Sequence, residues 1–209
     1  MELLLYILRH GETDYNLESR IQGQRDTPLN QNGIRAAELT GKALGEICFD
    51  RVISSPLTRA KQTAEIILSQ NRRSRTEIET DDRLMEISFG EWEGRRSLPE
   101  LNEIPEELFR LFLHDPMSFP GAPGGETVRE VIDRTNTFLR ELLSDEENGG
   151  KTILLSTHGC AMRALLQMVY GDGDDFWHGG APKNCALNIV LLSEGRLSLI
   201  RDDILQSIR

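Results

Sequence analysis

The chain has 209 residues, 38% hydrophobic and 28% charged, with a formal net charge of −10 at pH 7. That length supplies one sizeable core and is short for two, so a single domain over residues 1–209 is expected. The acidic balance argues against general affinity for nucleic acid or an anionic membrane, so an anionic small molecule would need a local cationic pocket.

No apolar run is long enough to span a bilayer. The apolar start, Leu3–Leu8, is too short for a signal-peptide core and has no basic stretch before it. It reads as a strand buried on both faces, with Arg9-His10-Gly11-Glu12-Thr13 at its C-terminal end. A polar loop is expected from there to Pro28. Asn30 is a good N-cap for a helix through Ala36, Ala37, Leu39, Ala43 and Leu44. Arg51–Ser54 reads as a second strand. Ser55-Pro56 then opens a helix bearing Ala60, Ala64, Ile67 and Leu68, with proline in the first turn, where a missing N–H costs nothing. A short strand is expected near Glu77–Glu79.

The composition shifts over residues 95–125, where Pro99, Pro105, Pro116, Pro120 and Pro123 fall. This stretch reads as an insertion over the sheet with a short helix after Pro105. Leu108, Phe109, Leu111, Phe112 and Leu113 are apolar almost all round that helix. Core packing is the default reading, and lining of a ligand pocket is the alternative. Thr127-Val128-Arg129-Glu130 has the form of a capping box. It starts a helix carrying Val128, Val131, Ile132, Thr135, Phe138, Leu139 and Leu142, which Asn148-Gly149-Gly150 ends. Thr152–Ser156 is another buried strand, followed by Thr157-His158-Gly159 and a helix through Leu165, Leu166 and Val169. Leu187–Leu192 and Arg196–Ile200 flank Glu194-Gly195 as a hairpin. Strands alternating with helices predict an α/β fold, a three-layer α/β/α sandwich with a mostly parallel central sheet. Ligands of such sheets bind beyond the carboxyl ends of strands, where Arg9-His10 and His158 both stand.

Arg9, His10, Arg59 and His158 form a set with one chemistry in common. Arginine binds phosphate through a planar fork of donors and keeps its charge. Neutral histidine is a competent nucleophile, and covalent catalysis divides one hard displacement into two easier ones. Phosphoryl transfer asks mainly for positioning and charge neutralisation. No acidic metal cluster follows a strand and no Gly-x-x-x-x-Gly-Lys loop is present, so two arginines and a second histidine would supply that charge, without metal or other cofactor.

With Arg9-His10-Gly11-Glu12-Thr13 stand Asn16, Ile21-Gln22-Gly23-Gln24 with Asp26-Thr27-Pro28-Leu29, and Ser54-Ser55-Pro56-Leu57-Thr58-Arg59-Ala60. Met85-Glu86-Ile87-Ser88-Phe89-Gly90-Glu91-Trp92-Glu93-Gly94, Gly124-Gly125-Glu126-Thr127 and Ser156-Thr157-His158-Gly159 follow. One tetrapeptide alone is weak; these blocks in this order, from Leu4 to about Leu191, are specific. The chain resembles the histidine phosphatase superfamily, the branch holding cofactor-dependent phosphoglycerate mutases and related phosphatases. The resemblance implies the phosphoglycerate mutase-like fold and the following roles. His10 attacks phosphorus. Arg9, Arg59 and His158 hold the phosphoryl oxygens, and Asn16 and Gln22 donate neutral hydrogen bonds to the same group. Glu86 protonates the departing alkoxide and later takes a proton from water. It must therefore carry a proton when substrate binds, so a pH optimum on the acidic-to-neutral side is expected.

Taken singly, Arg59 reads as a helix residue in a surface pair and Glu86 as a surface carboxylate. His114 and His178 read as structural or solvated, and Cys160 as a packing thiol. The expected activity is a metal-independent phosphomonoesterase acting on a small phosphorylated metabolite. A mutase is the alternative: Glu86 lacks the following arginine of the familiar mutases, which favours the phosphatase, but Arg95 and Arg96 could bind a substrate carboxylate and keep the mutase open. A non-catalytic phosphate-binding module is a further alternative, weakened because both nucleophile and acid are kept. A sugar phosphate, a phosphoglycerate, a nucleoside-pathway monoester and a cobalamin precursor are all compatible leaving-group classes, to be selected by residues 95–125 and 172–183. The lone Cys48, Cys160 and Cys185, without a Cys-x-x-Cys pair, suggest a cytoplasmic protein. An exposed edge strand is compatible with a homodimer.

Overall fold

Leu3, Leu5 and Ile7 of the first strand enter one hydrophobic cluster, while Tyr6 and Leu8 enter another. Side chains alternate across a strand, so this split puts packed layers on both faces of the sheet. The computed structural model describes residues 2–98, 101–171 and 175–205. Its strands are β1 (Leu3–Arg9), β2 (Arg51–Ser54), β3 (Ile78–Thr80), β4 (Ser97–Leu98), β5 (Leu101–Asn102), β6 (Thr152–Thr157), β7 (Leu187–Ser193) and β8 (Arg196–Ile204). The α-helices are α1 (Asp14–Leu17), α2 (Gln31–Ala43), α3 (Thr58–Gln70), α4 (Glu106–His114), α5 (Val128–Ser144) and α6 (Gly159–Tyr170).

The main sheet has the order β3-β2-β6-β1-β7-β8. Strands β3, β2, β6 and β1 run parallel; β7 pairs antiparallel with β1, and β8 antiparallel with β7. On one face Phe138, Leu139 and Leu142 of α5 and Met162, Leu165 and Leu166 of α6 pack on Leu5, Ile7, Ile153 and Leu155. On the other, Ala64 and Ile67 of α3 and Leu44 after α2 pack on Leu8, Val52 and Leu154. This is the expected α/β/α sandwich with a mostly parallel sheet. Arg9 stands opposite Thr157 and Ser54 opposite Ser156, so the carboxyl ends of β1, β2 and β6 finish side by side. That register gathers His10, Ser55 and His158 at one edge.

Some local expectations change. The stretch expected as loop contains α1, a single turn held by a reciprocal Thr13–Asn16 capping box. So short a helix leaves no hydrophobic period to read. Strand β8 runs to Ile204 rather than Ile200, through Asp202 and Asp203. Asp203 is tolerated there because it pairs with the buried Arg163 and accepts from Asn188 Nδ2. The helix after Pro105 is α4, but its apolar residues are not all core. Phe112 packs edge-on against Phe89, Phe119 and Trp177, whereas Leu113 is 42% exposed. Pro99 and residues 172–174 lie outside the described residues. Among the described residues no helix is long and apolar enough to cross a membrane.

Candidate active site

His10 follows the last residue of β1 and is held by its backbone on both sides. Its N–H donates to Thr157 O at 2.9 Å, and its carbonyl accepts from Cys185 N and from Asn184 Nδ2. The ring nitrogen Nδ1 lies 2.6 Å from Gly11 O. A carbonyl only accepts, so Nδ1 carries the hydrogen, and in the neutral ring the lone pair is on Nε2. Arg59 Nε donates toward that lone pair at 3.3 Å. His10 is 2% exposed. Burial, then the charges of Arg59 and Arg9, hold its imidazole well below the ordinary histidine range, against a weaker opposite pull from the Gly11 carbonyl.

Arg59 stands in the first turn of α3 and is fully buried. Its Nη1 donates to Arg25 O at 2.9 Å and its Nη2 to Gly23 O at 2.7 Å. Burial pushes its pKa down to about 10, with Glu86 and Asp26 pulling the other way, so it remains a cation at neutral pH. Gly23 takes a left-handed φ of 53°, and a Cβ there would overlap the Glu93 carboxylate. Glycine is therefore needed to present that carbonyl to Arg59.

His158 is the residue before α6, and its Nε2 lies 2.8 Å from Ser55 Oγ. Its ring centroid is 5.1 Å from that of His10. Burial, then the charges of Arg59, His10 and Arg9, hold it well below the ordinary range too. Arg9 donates through Nη1 to Pro182 O. As a residue Arg9 is partly exposed, but its Nε is buried without a hydrogen-bond partner, and so is His158 Nδ1. Unpaired buried polar atoms are costly, and a bound anion would satisfy a donor here.

Glu86 lies in a segment without regular secondary structure. Its Oε1 accepts from the N–H groups of Cys160 and Ala161, each at 3.1 Å, at the positive N-terminal end of α6. Ile87 N donates to the same oxygen at 3.1 Å. A side-chain carbon on Gly159 would come within 3.6 Å of both Arg9 Nε and Glu86 Oε2, so the two groups share one narrow space. Asn16 Oδ1 accepts from Thr13 N and from Asn184 Nδ2. Gln22 Oε1 lies 2.8 Å from the hydroxyls of both Thr13 and Thr27. The oxygens of both amides are thus engaged by protein.

All seven predicted site residues therefore converge at one sheet edge. His114 ends α4 exposed to solvent, and His178 stacks on Tyr170 with ring centroids 3.5 Å apart. Burial pushes the Cys160 thiol well up, and only its backbone serves the site, through Glu86. Arg95 accepts from Ile21 N through its carbonyl and Arg96 bridges antiparallel to Arg20, so both pair by backbone with the residues just before the Gln22–Arg25 loop. Sequence reasoning missed Thr13, Ser55 and Asn184, which orient Gln22, His158 and His10. Thr13 and Ser55 lie inside quoted motifs, but Asn184 carried no signal. Among the described residues no group of three or more His, Cys, Asp or Glu is placed to hold a metal ion.

The two depressed histidines give a stability prediction. Below about pH 6.5 the unfolded chain binds protons that folded His10 and His158 refuse, so stability falls as pH falls. Each contributes a slope of up to about 1.4 kcal/mol per pH unit. Urea unfolding in phosphate-free buffer should show a midpoint that drops between about pH 6.5 and 5, above the range of ordinary carboxylates. An unchanged midpoint would mean that neither histidine is buried neutral.

Comparison with known proteins agrees with this geometry. The model of the histidine phosphatase superfamily (branch 1) matches residues 5–202. A probable phosphoglycerate mutase, GpmB, of Proteus mirabilis is 37% identical over 169 residues, 81% of this chain and 75% of that protein. An uncharacterized phosphatase, PhoE, of Bacillus subtilis is 32% identical over 188 residues, 90% of this chain and 88% of that one. The solved structure of Bacillus stearothermophilus YhfR superposes with a TM-score of 0.85 at 28% identity, covering 97% of this chain and 98% of the other. With a family model spanning nearly its whole length and a shared fold, the chain belongs to branch 1 of the histidine phosphatase superfamily.

Proposed function

We propose that the protein is a metal-independent phosphomonoesterase that acts through a phosphohistidine on His10. The observation that carries this reading is the state of His10: buried, neutral, with Nδ1–H fixed on Gly11 O and the Nε2 lone pair facing Arg59. Arg9, Arg59 and His158 would surround the phosphoryl oxygens, with Arg9 Nε and His158 Nδ1 as ready partners. With their oxygens engaged, Asn16 and Gln22 offer the NH₂ ends of their amides to the same group.

In the first step Nε2 bonds to phosphorus, the ester P–O bond breaks, and protonated Glu86 gives its proton to the departing oxygen. The ring becomes cationic, which strengthens the Nδ1–H bond to Gly11 O. In the second step Glu86 takes a proton from water, the oxygen of that water bonds to phosphorus, and the P–N bond breaks. His10 stays neutral at mildly acidic pH because its pKa is depressed, so the nucleophile remains available where the acid step is expected to run. An acidic-to-neutral optimum follows.

A mutase is the second reading, favoured by the name of the Proteus mirabilis relative and by Arg95 and Arg96, which pair by backbone with Ile21 and Arg20 just before the Gln22–Arg25 loop. One panel separates the two: sugar phosphates, 3-phosphoglycerate, nucleoside-pathway monoesters and a cobalamin precursor, assayed with EDTA for phosphate release and for isomer formation. Phosphate release undiminished by EDTA is expected. Loss of activity in EDTA contradicts the metal-free route, and efficient 3- to 2-phosphoglycerate conversion with little phosphate release favours the mutase.

A further inference from the structure

Arg134 lies on α5, and its hydrogen bonds go to the acid segment and Glu126 rather than to the phosphate-binding side chains. Its guanidinium has five N–H groups, and each finds an acceptor. Nε donates to Glu126 Oε1 at 2.8 Å and Nη2 to Glu126 Oε2 at 3.0 Å, a two-pronged ion pair. Nη1 donates to Arg83 O and Met85 O, each at 2.8 Å, and the second hydrogen of Nη2 goes to Glu86 O at 3.0 Å. Three backbone carbonyls of the segment that delivers Glu86 are thus gathered on one side chain.

Glu126 grips the same segment from its other end. Its Oε2 accepts from Ser88 N at 2.8 Å, and its own N–H donates to Ser88 O at 2.8 Å. Gln24 Nε2 reaches both Glu86 O, at 3.1 Å, and Glu126 Oε2, at 3.4 Å. Gln24 sits between Gly23 and Arg25, whose carbonyls hold Arg59. The acid segment is therefore tied to the loop that holds the phosphate-binding arginine. An isolated, partly exposed ion pair would be worth little. Saturating three carbonyls of an irregular segment is a different task, because among the described residues Arg134 supplies the α5 hydrogen bonds to the backbone of Arg83, Met85 and Glu86.

We propose that Arg134, braced by Glu126, is a positioning residue for proton transfer: it sets Glu86 at the distance from the leaving group that the acid step requires. The proposal rests on the reading of Glu86 as the acid. It predicts a defect that depends on the leaving group rather than a uniform loss. A p-nitrophenolate is weakly basic and departs with little help, whereas a benzyl alkoxide needs a proton.

The test compares kcat/KM for p-nitrophenyl phosphate and benzyl phosphate in wild type, Glu86→Gln and Arg134→Gln, well below each variant's Tm. Glu86→Gln should lose about 100-fold or more on benzyl phosphate and less than about tenfold on p-nitrophenyl phosphate. Arg134→Gln should show the same asymmetry in smaller measure, about 10- to 30-fold against about threefold or less. Equal losses on the two esters, or none, in Arg134→Gln overturn the proposal. Equal losses in Glu86→Gln overturn the acid assignment instead. Should Arg134→Gln not fold, Glu126→Gln, which keeps the side-chain shape and removes the charge, is held to the same asymmetry.

Discussion

A His10→Ala variant is expected to lose about four or more orders of magnitude in turnover while remaining folded. Alanine removes the atom that would bond to phosphorus. Of the histidines, only His158 is near enough to substitute, and its Nε2 is committed to Ser55 Oγ. The backbone bonds of residue 10, to Thr157 O and from Cys185 N, survive the change. The variant should also be less acid-sensitive. One of two imidazoles with depressed pKa is gone, so the fall in stability below about pH 6.5 should be roughly halved. Steady-state assays and urea unfolding at two pH values check both parts. Near-wild-type turnover in His10→Ala would remove the nucleophile from the mechanism.

Arg59→Ala should cost nearly as much, about three orders of magnitude in kcat/KM, and Arg59→Lys should recover only part of that. Lysine restores the charge but not the fork that spans Gly23 O and Arg25 O while its Nε faces His10. The sign of a second effect follows from the electrostatics. The Arg59 charge helps to hold the His10 pKa down, so its removal lets His10 protonate at higher pH. The acid limb of the residual kcat/KM profile of Arg59→Ala should therefore move toward neutrality. Arg59→Lys should keep it near the wild-type position. An acid limb unmoved in Arg59→Ala would show that His10 does not feel this charge.

Parts of the site were legible in the sequence for plain physical reasons. Arg9, His10 and His158 follow apolar runs that bury both faces of a strand, and parallel strands must end at one edge. Arg59 follows a strand closely, and although α3 starts at Thr58 with Leu57 as N-cap, leaving Pro56 outside the expected first turn, that first turn still lies at the same edge. Glu86 is different. It sits in irregular backbone after a single 3-10 turn, with no period or cap of its own, and only the family resemblance pointed to it. What fixes it is tertiary: the N-terminus of α6 and the carbonyl contacts of Arg134. The single turn of α1 was hidden for want of length, and the extension of β8 depends on a buried Arg163 that pairs with Asp203. Residues acting through such contacts leave no mark in local sequence.

The most direct measurement of the central claim is rapid-quench trapping with a ³²P-labelled phosphomonoester, followed by peptide mapping. The expected label is stable to alkali, labile to acid, carried on the peptide containing His10 and absent from His10→Ala. No covalent label under single-turnover conditions, or a label on any other residue, would contradict a phosphohistidine at His10.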